Sequence, residues 1–145
     1  KTPIEAVVLA SIIEKETSLP QERPKISGVF INRLRLRMPL QSDPTVVYGV
    51  TQGKQPLGRP LKLQELRDKD NLYNTYRHLG LPPGPIANPG KDSIRAALSP
   101  LETTALYFVA DGQGGHNFAE TLAEHNKNVK LWRKHRKQEL DCGAC

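Results

Sequence analysis

Glu16 is an acid at a position where the local pattern asks for an apolar side chain. From Thr2 to Thr17 the chain has a helical period, and at about 100° per residue Val8, Leu9, Ile12 and Ile13 fall on one arc. Glu16 follows Ile13 by three positions and Ile12 by four, so it points out of the middle of that arc, while Glu14 faces roughly the opposite way. A carboxyl on an apolar face loses hydration, which raises its pKa toward the range useful for proton donation at neutral pH. The alternative is that Glu16 is the last turn of the helix emerging into solvent. The helix alone leaves both readings open.

Other chemistries find less support. His78, His116, His125 and His135 lack the i, i+4 spacing around a glutamate that a zincin needs, so no metal or cofactor is expected. There is no G-x-S-x-G elbow for a nucleophilic serine, and Gly112 to Gly115 has the form of a hairpin turn, not of a phosphate cradle. Cys142 and Cys145 form one C-x-x-C at the very end, two ligands short of a zinc site and without a redox context, so a dispensable tail is the reading. Carboxyl chemistry remains. Glycoside cleavage usually pairs two carboxyls, and Asp43 is the one obvious partner for Glu16. Asp before Pro also caps turns, and that role, or a substrate hydrogen bond, is favoured for Asp43.

The elements that must position these groups can be read in order. Thr2 is a candidate N-cap, Pro3 the first helical residue and Glu5 the reciprocal partner of a capping box; Leu19-Pro20 ends this helix. A second helix starts near Arg23-Pro24 and should stop before Met38-Pro39. Leu40 to Gly49 mixes β-branched and aromatic residues and is expected to be a strand, its Pro44 fitting an edge or bulge. A short helix is expected around Leu61 to Arg67, then a stiff Pro/Gly loop from Gly80 to Gly90, and a helix from Lys91 to Leu98. Leu106 to Ala110 is the best strand, turning through Asp111 to Gly115 into His116-Asn117-Phe118. The closing helix is expected from Thr121 to about Lys137, with Leu122, His125, Val129 and Trp132 on one face. Helices around a small, mostly antiparallel sheet define an α+β class, with one domain over 1–137 and a tail over 138–145.

The 145 residues suffice for one domain with a real core, and no run of about 18 apolar residues is present to span a membrane. The net charge of +6 is concentrated in Arg33 to Arg37 and Lys130 to Lys137. Such runs are expected to be solvated helix faces, although an acidic polymer would also suit them. Aromatic residues do not interleave the basic ones, so nucleic acid is not an expected partner.

The candidate residues fall within a longer series. Leu9-Ala10-Ser11-Ile12-Ile13-Glu14-Lys15-Glu16-Thr17 and Gly28-Val29-Phe30-Ile31-Asn32-Arg33-Leu34 open it. Leu40-Gln41-Ser42-Asp43-Pro44-Thr45-Val46-Val47-Tyr48-Gly49, Tyr73-Asn74-Thr75-Tyr76 and Gly80-Leu81-Pro82-Pro83-Gly84-Pro85-Ile86 follow. Tyr107-Phe108-Val109-Ala110-Asp111-Gly112 and Gly115-His116-Asn117-Phe118 close it. In this order, over roughly residues 7 to 132, the blocks resemble the catalytic domain of the endolytic murein transglycosylases.

The resemblance implies an enzyme that cuts peptidoglycan strands internally, between N-acetylmuramic acid and N-acetylglucosamine, and leaves 1,6-anhydromuramic ends without consuming water. It implies Glu16 as the catalytic acid, with Gln41, Asp43, Asn74, Tyr76, His116 and Asn117 as residues that hold the sugars. The Pro/Gly loop from Leu81 to Pro89 would then wall the groove. The resemblance further implies a single-pass anchor in the cytoplasmic membrane and a LysM-like region, both outside this chain. The domain would lie on the extracytoplasmic side, with wall-synthesis enzymes as partners. A hydrolytic muramidase using Asp43, or a non-catalytic wall-binding module using the basic helices, are the competing readings.

Overall fold

The computed structural model describes residues 2–143, the last six as helix backbone only. Cys145 and the side chain of Cys142 lie outside the described residues, so the reading of the cysteine tail is not addressed. The first helix, α1 (Pro3–Glu16), starts as its cap residues dictate: the Glu5 amide donates to Thr2 Oγ1 at 3.1 Å and the Thr2 amide to Glu5 Oε1 at 2.9 Å. Its middle is buried on more than the expected arc, because Ala10 and Ser11 are enclosed along with Val8, Leu9, Ile12 and Ile13. A helix enclosed on most sides is a central element and must be surrounded by others. Those others are α2 (Arg23–Arg35), α3 (Asp43–Thr51) and α5 (Lys91–Leu98), all packed against α1. Leu9, Ile12, Ile13, Ile26 and Phe30 form the centre of the core, each contributing about 1.5–3 kcal/mol by burial.

One expected element is overturned. The segment from Leu40 to Gly49 is not a strand; after a short irregular stretch it becomes helix α3. Proline in the first helical turn needs no amide partner and has a φ already suited to a helix, so Ser42-Asp43-Pro44 is a helix start and not an edge-strand mark. The β-branched Thr45, Val46 and Val47 favour strands only where a neighbouring strand exists to pair with them. Here Val46 is driven into the core and Thr45 into a buried polar cluster, and packing overrides propensity. The short helix α4 is Leu63–Leu66.

The sheet among the described residues is a single antiparallel hairpin, β1 (Tyr107–Ala110) with β2 (His116–Ala119), Tyr107 opposite Ala119 and Ala110 opposite His116. Its turn uses Gly112 and Gly114 at φ +81° and +90°, a conformation costly for other residues. Phe108 anchors the hairpin to α2 by an edge-on contact with Phe30, with ring centres 5.7 Å apart. The closing helix α6 (Leu122–Gly143) runs further than expected and covers both strands. The class is therefore α+β, with α1 and not the sheet at its centre.

Gly28 marks how tightly α2 approaches the 100–104 segment. A Cβ there would stand 2.4 Å from the Leu101 carbonyl oxygen, and the Leu101 amide already donates to Pro24 O at 3.0 Å. Gly28→Ala should therefore destabilise the protein by about 1–3 kcal/mol, despite a helix-propensity gain near 1 kcal/mol. Urea unfolding of the two proteins measures this; equal or higher stability of the variant would show that the backbones separate freely.

Candidate active site

Glu16 occupies the last turn of α1, where the carbonyl ends of the helix already disfavour negative charge. Its Oε1 accepts a hydrogen bond from Ser42 Oγ at 2.7 Å. Burial raises its pKa above the ordinary carboxylate range, and the Asp43 carboxyl adds to the rise; the Ser42 bond and His116 oppose it. Glu14, two residues away, is tuned in the other direction. The Gly90 amide donates to it at 2.8 Å, Ser93 Oγ at 2.9 Å, and Arg23 lies 3.8 Å away. The Gly90 bond is the chief reason its pKa falls, followed by that of Ser93. One carboxyl fastens α5 to α1, and the other, its pKa raised by burial, stands beside a cleft.

The cleft encloses about 340 Å³, and its walls include Glu16, Gln41, Asp43, Tyr76 and His116, five of the residues singled out from sequence. A polar clasp brings their segments together. The Ser42 amide donates to Thr75 Oγ1 at 2.9 Å, Thr45 Oγ1 donates to Ser42 O at 2.7 Å, and the Thr45 and Thr75 hydroxyls are 2.9 Å apart. This clasp, wholly buried, presses the start of α3 against the end of α1. Gln41 turns the chain into it with φ +52°, a left-handed conformation that is strained for glutamine. Across the clasp the Tyr76 hydroxyl donates to Asp43 Oδ1 at 2.5 Å. Burial, followed by that bond, keeps the Tyr76 phenol protonated well beyond its usual range.

His116 enters from β2. Glu22 grips it twice, accepting from the backbone amide at 2.9 Å and from ring Nδ1 at 2.8 Å. With a carboxylate as its partner Nδ1 carries a proton, and the ring orientation is set. Thr17 Oγ1 also donates to Glu22, at 3.3 Å, so the end of α1 and the hairpin share one anchor.

Two expected sugar-holding residues lie elsewhere. Asn74 is 0% exposed, and its side-chain amide donates to the carbonyls of Glu65, Leu66 and Asp68 while its oxygen accepts from the Tyr76 amide. It shapes the loop that presents Tyr76 and offers no group to a ligand. Asn117 does not line the cleft; strand alternation turns it to the opposite face from His116. The Pro/Gly loop does not wall this cleft either. Its Ile86 amide accepts anchorage on α1 by donating to Ser11 Oγ at 3.0 Å, and its Gly90 amide is held by Glu14.

Arg33, Ser42 and His125 are the residues missed. Arg33 belongs to the basic run expected to be solvated, yet it is only 7% exposed. Its Nε donates to Leu106 O at 2.7 Å and its Nη1 to Pro39 O at 2.7 Å, with the guanidinium over the Tyr107 ring. It is a buried cation satisfied by carbonyls on the cleft floor. His125 reaches the cleft from α6, stacked on Tyr107 with ring centres 4.9 Å apart. Burial, then the Arg33 charge, pushes its imidazole toward the neutral form. Ser42 lies inside a quoted motif and Arg33 within helical register of Phe30, but only the fold shows what each touches. Among the described residues, no three His, Cys, Asp or Glu side chains gather as a metal site.

The fold and cleft define a helical α+β domain with a half-buried glutamate of raised pKa at a helix end. The chain matches the YceG-like family over residues 1–131 and belongs to that family. It is 46% identical over 121 residues to an endolytic murein transglycosylase of Bacillus subtilis (strain 168), covering 83% of this chain and 32% of that protein. It is 38% identical over 130 residues to the endolytic murein transglycosylase of Streptococcus pneumoniae serotype 2 (strain D39), covering 86% of this chain and 23% of that one. A crystal structure of a yceG-like protein from Listeria monocytogenes superposes with a TM-score of 0.75 at 43% identity, over 85% of this chain and 38% of the other. The chain thus spans a third or less of the curated relatives' length.

Glu14 and Glu16 should respond oppositely to pH. Glu14, with its lowered pKa, stabilises the fold above the unfolded-state carboxylate pKa, and that contribution is lost as pH falls through its native value. Glu16, with its raised pKa, is bound to its proton more tightly in the native state, so stability falls as pH rises from the ordinary range through its native value. At pH 8, Glu14→Gln should cost about 1 kcal/mol while Glu16→Gln is neutral or stabilising. Denaturant unfolding at pH 5 and pH 8 tests this, and a larger loss for Glu16→Gln at the higher pH would contradict the assignment.

Proposed function

We propose that this chain is the catalytic portion of an endolytic murein transglycosylase, and that it cleaves peptidoglycan between N-acetylmuramic acid and N-acetylglucosamine. The observation that carries the reading is Glu16, half-buried, with a raised pKa, on the wall of a polar cleft. The names of the Bacillus and Streptococcus relatives support it. Protonated Glu16 donates to the oxygen joining muramic C1 to the next sugar, and the C1–O bond breaks. Positive charge grows at C1, and the carboxylate left on Glu16, with Asp43 beside it, has the sign that favours such a centre. The C6 hydroxyl of the same muramic residue attacks C1 and returns its proton to Glu16, which serves as acid and then as base. Because the nucleophile is held within the reacting sugar, its effective concentration is worth about 7–11 kcal/mol. The products are a 1,6-anhydromuramic end and a free hydroxyl on N-acetylglucosamine.

Tyr76 and Ser42 hold the two carboxyls in place, while Gln41, His116 and His125 offer polar contacts to the sugars. Asp43 on the same wall favours one second reading, a hydrolytic muramidase in which it activates water. Its pairing with the Tyr76 hydroxyl supports a stabilising role instead. Membrane anchoring outside this chain, extracytoplasmic location and contact with wall-synthesis enzymes belong to the same proposal.

Glu16→Gln should lower turnover of purified glycan strands by about 10²–10⁴-fold while strand binding persists. Wild-type turnover should decline on the alkaline side as Glu16 loses its proton. Mass spectrometry of the digest identifies the reaction: anhydro ends are expected, and reducing muramic ends would establish the hydrolytic alternative.

A further inference from the structure

Beside the cleft lies a second concavity of about 600 Å³, separated from it only by Asp43 and Pro44, which line both. Its walls are largely apolar, formed by Val47 and Tyr48 of α3, Ile86 of the Pro/Gly loop and Pro56. Two cations, Lys15 and Lys54, also line it, with the polar Thr51 and Gln55. The shape is built, not incidental. The Tyr48 ring is held between Tyr73, at 4.9 Å between centres, and the backbone of Gly53, where a Cβ would come within 2.8 Å of the ring. Gln52 and Gly53 both adopt left-handed φ to make that approach, and the Gly53 amide donates to Thr51 Oγ1 at 3.2 Å. Ile86 is tied to α1 through Ser11.

We infer that this concavity is a subsite for the short acidic peptide carried on the muramic lactyl group of the strand, an inference that rests on the function proposed above. The lactyl group leaves the sugar at C3, two carbons from the reacting C1, so the peptide has to depart close to Glu16. A peptide advances at most about 3.3–3.6 Å per residue, so one or two residues carry it past Asp43 and Pro44. Its aliphatic parts meet Val47, Tyr48 and Ile86, and its carboxylates meet Lys15 and Lys54. Sugars, uncharged apart from this peptide, would make no use of two cations. Asp43 stands at the boundary, with its Oδ1 held by the hydroxyl of Tyr76, a residue that lines the cleft and not this concavity.

The test compares peptide-bearing glycan strands with the same strands stripped by an amidase, cleaved by the wild-type chain, Lys54→Glu and Val47→Asp, with unfolding midpoints measured on each. Wild type should prefer peptide-bearing strands. Lys54→Glu should lose about three- to tenfold in kcat/KM on them, as expected for reversing one exposed charge, and less than about twofold on stripped strands. Val47→Asp should erase the same preference from the apolar wall. Equal losses on both strands would make this a sugar subsite, and no loss on either would leave the concavity without a role; both overturn the inference while the proposed function stands. A wild-type chain that yields no anhydro ends from either strand overturns the function, and the subsite with it.

Discussion

The enclosure of α1 is the constraint on which the rest of the molecule depends. A helix buried without a break from Val8 to Ile13 presents no solvent face over more than one and a half turns, so α2, α3 and α5 must each cover part of it. Polar groups are admitted along it only where a partner waits. Ser11 is the sole polar side chain in that stretch, and its hydroxyl bonds Val8 O while accepting the Ile86 amide. The ionisable groups appear only outside that sheath, Glu5 in the first turn and Glu14, Lys15 and Glu16 in the last.

That last turn places two carboxyls, Glu14 and Glu16, on nearly opposite faces of the helix, and their surroundings divide them. Glu14 meets donors, an amide and a hydroxyl, with a guanidinium nearby, all of which favour its charged form. Glu16 meets one hydroxyl, a neighbouring carboxyl and a shortage of water, which favour its neutral form. The same residue type thus becomes a strut in one position and an acid of raised pKa in the other.

Most of the polar residues near the cleft act on the backbone before they can act on a ligand. Thr45 and Thr75 close the clasp, Asn74 gathers three carbonyls, Glu22 holds His116 and Arg33 binds the carbonyls under β1. Such groups, removed from water, have to be satisfied, and once satisfied they fix the loops rigidly. The side chains left facing the cleft, Gln41, Asp43, Tyr76 and His116, are precise in position because others are spent on holding them.

The sequence by itself determined the capped first helix, the core arc, the hairpin, the α+β class and the membership of a family through ordered blocks. These follow from local rules: cap spacing, hydrophobic period and turn glycines act over a few residues. It also singled out Glu16, because a misplaced charge is visible within one helical turn. It misjudged the segment after Leu40, where β-branched side chains signal a strand until a partner strand is found to be missing. Asn74 and Arg33 were equally illegible, since an amide that binds a ligand and one that binds a loop are the same residue in a string of letters. Only the tertiary structure decided these, because burial and hydrogen-bond partners are set by segments 30 to 80 residues apart in sequence, such as Ser42 with Thr75 and Arg33 with Leu106.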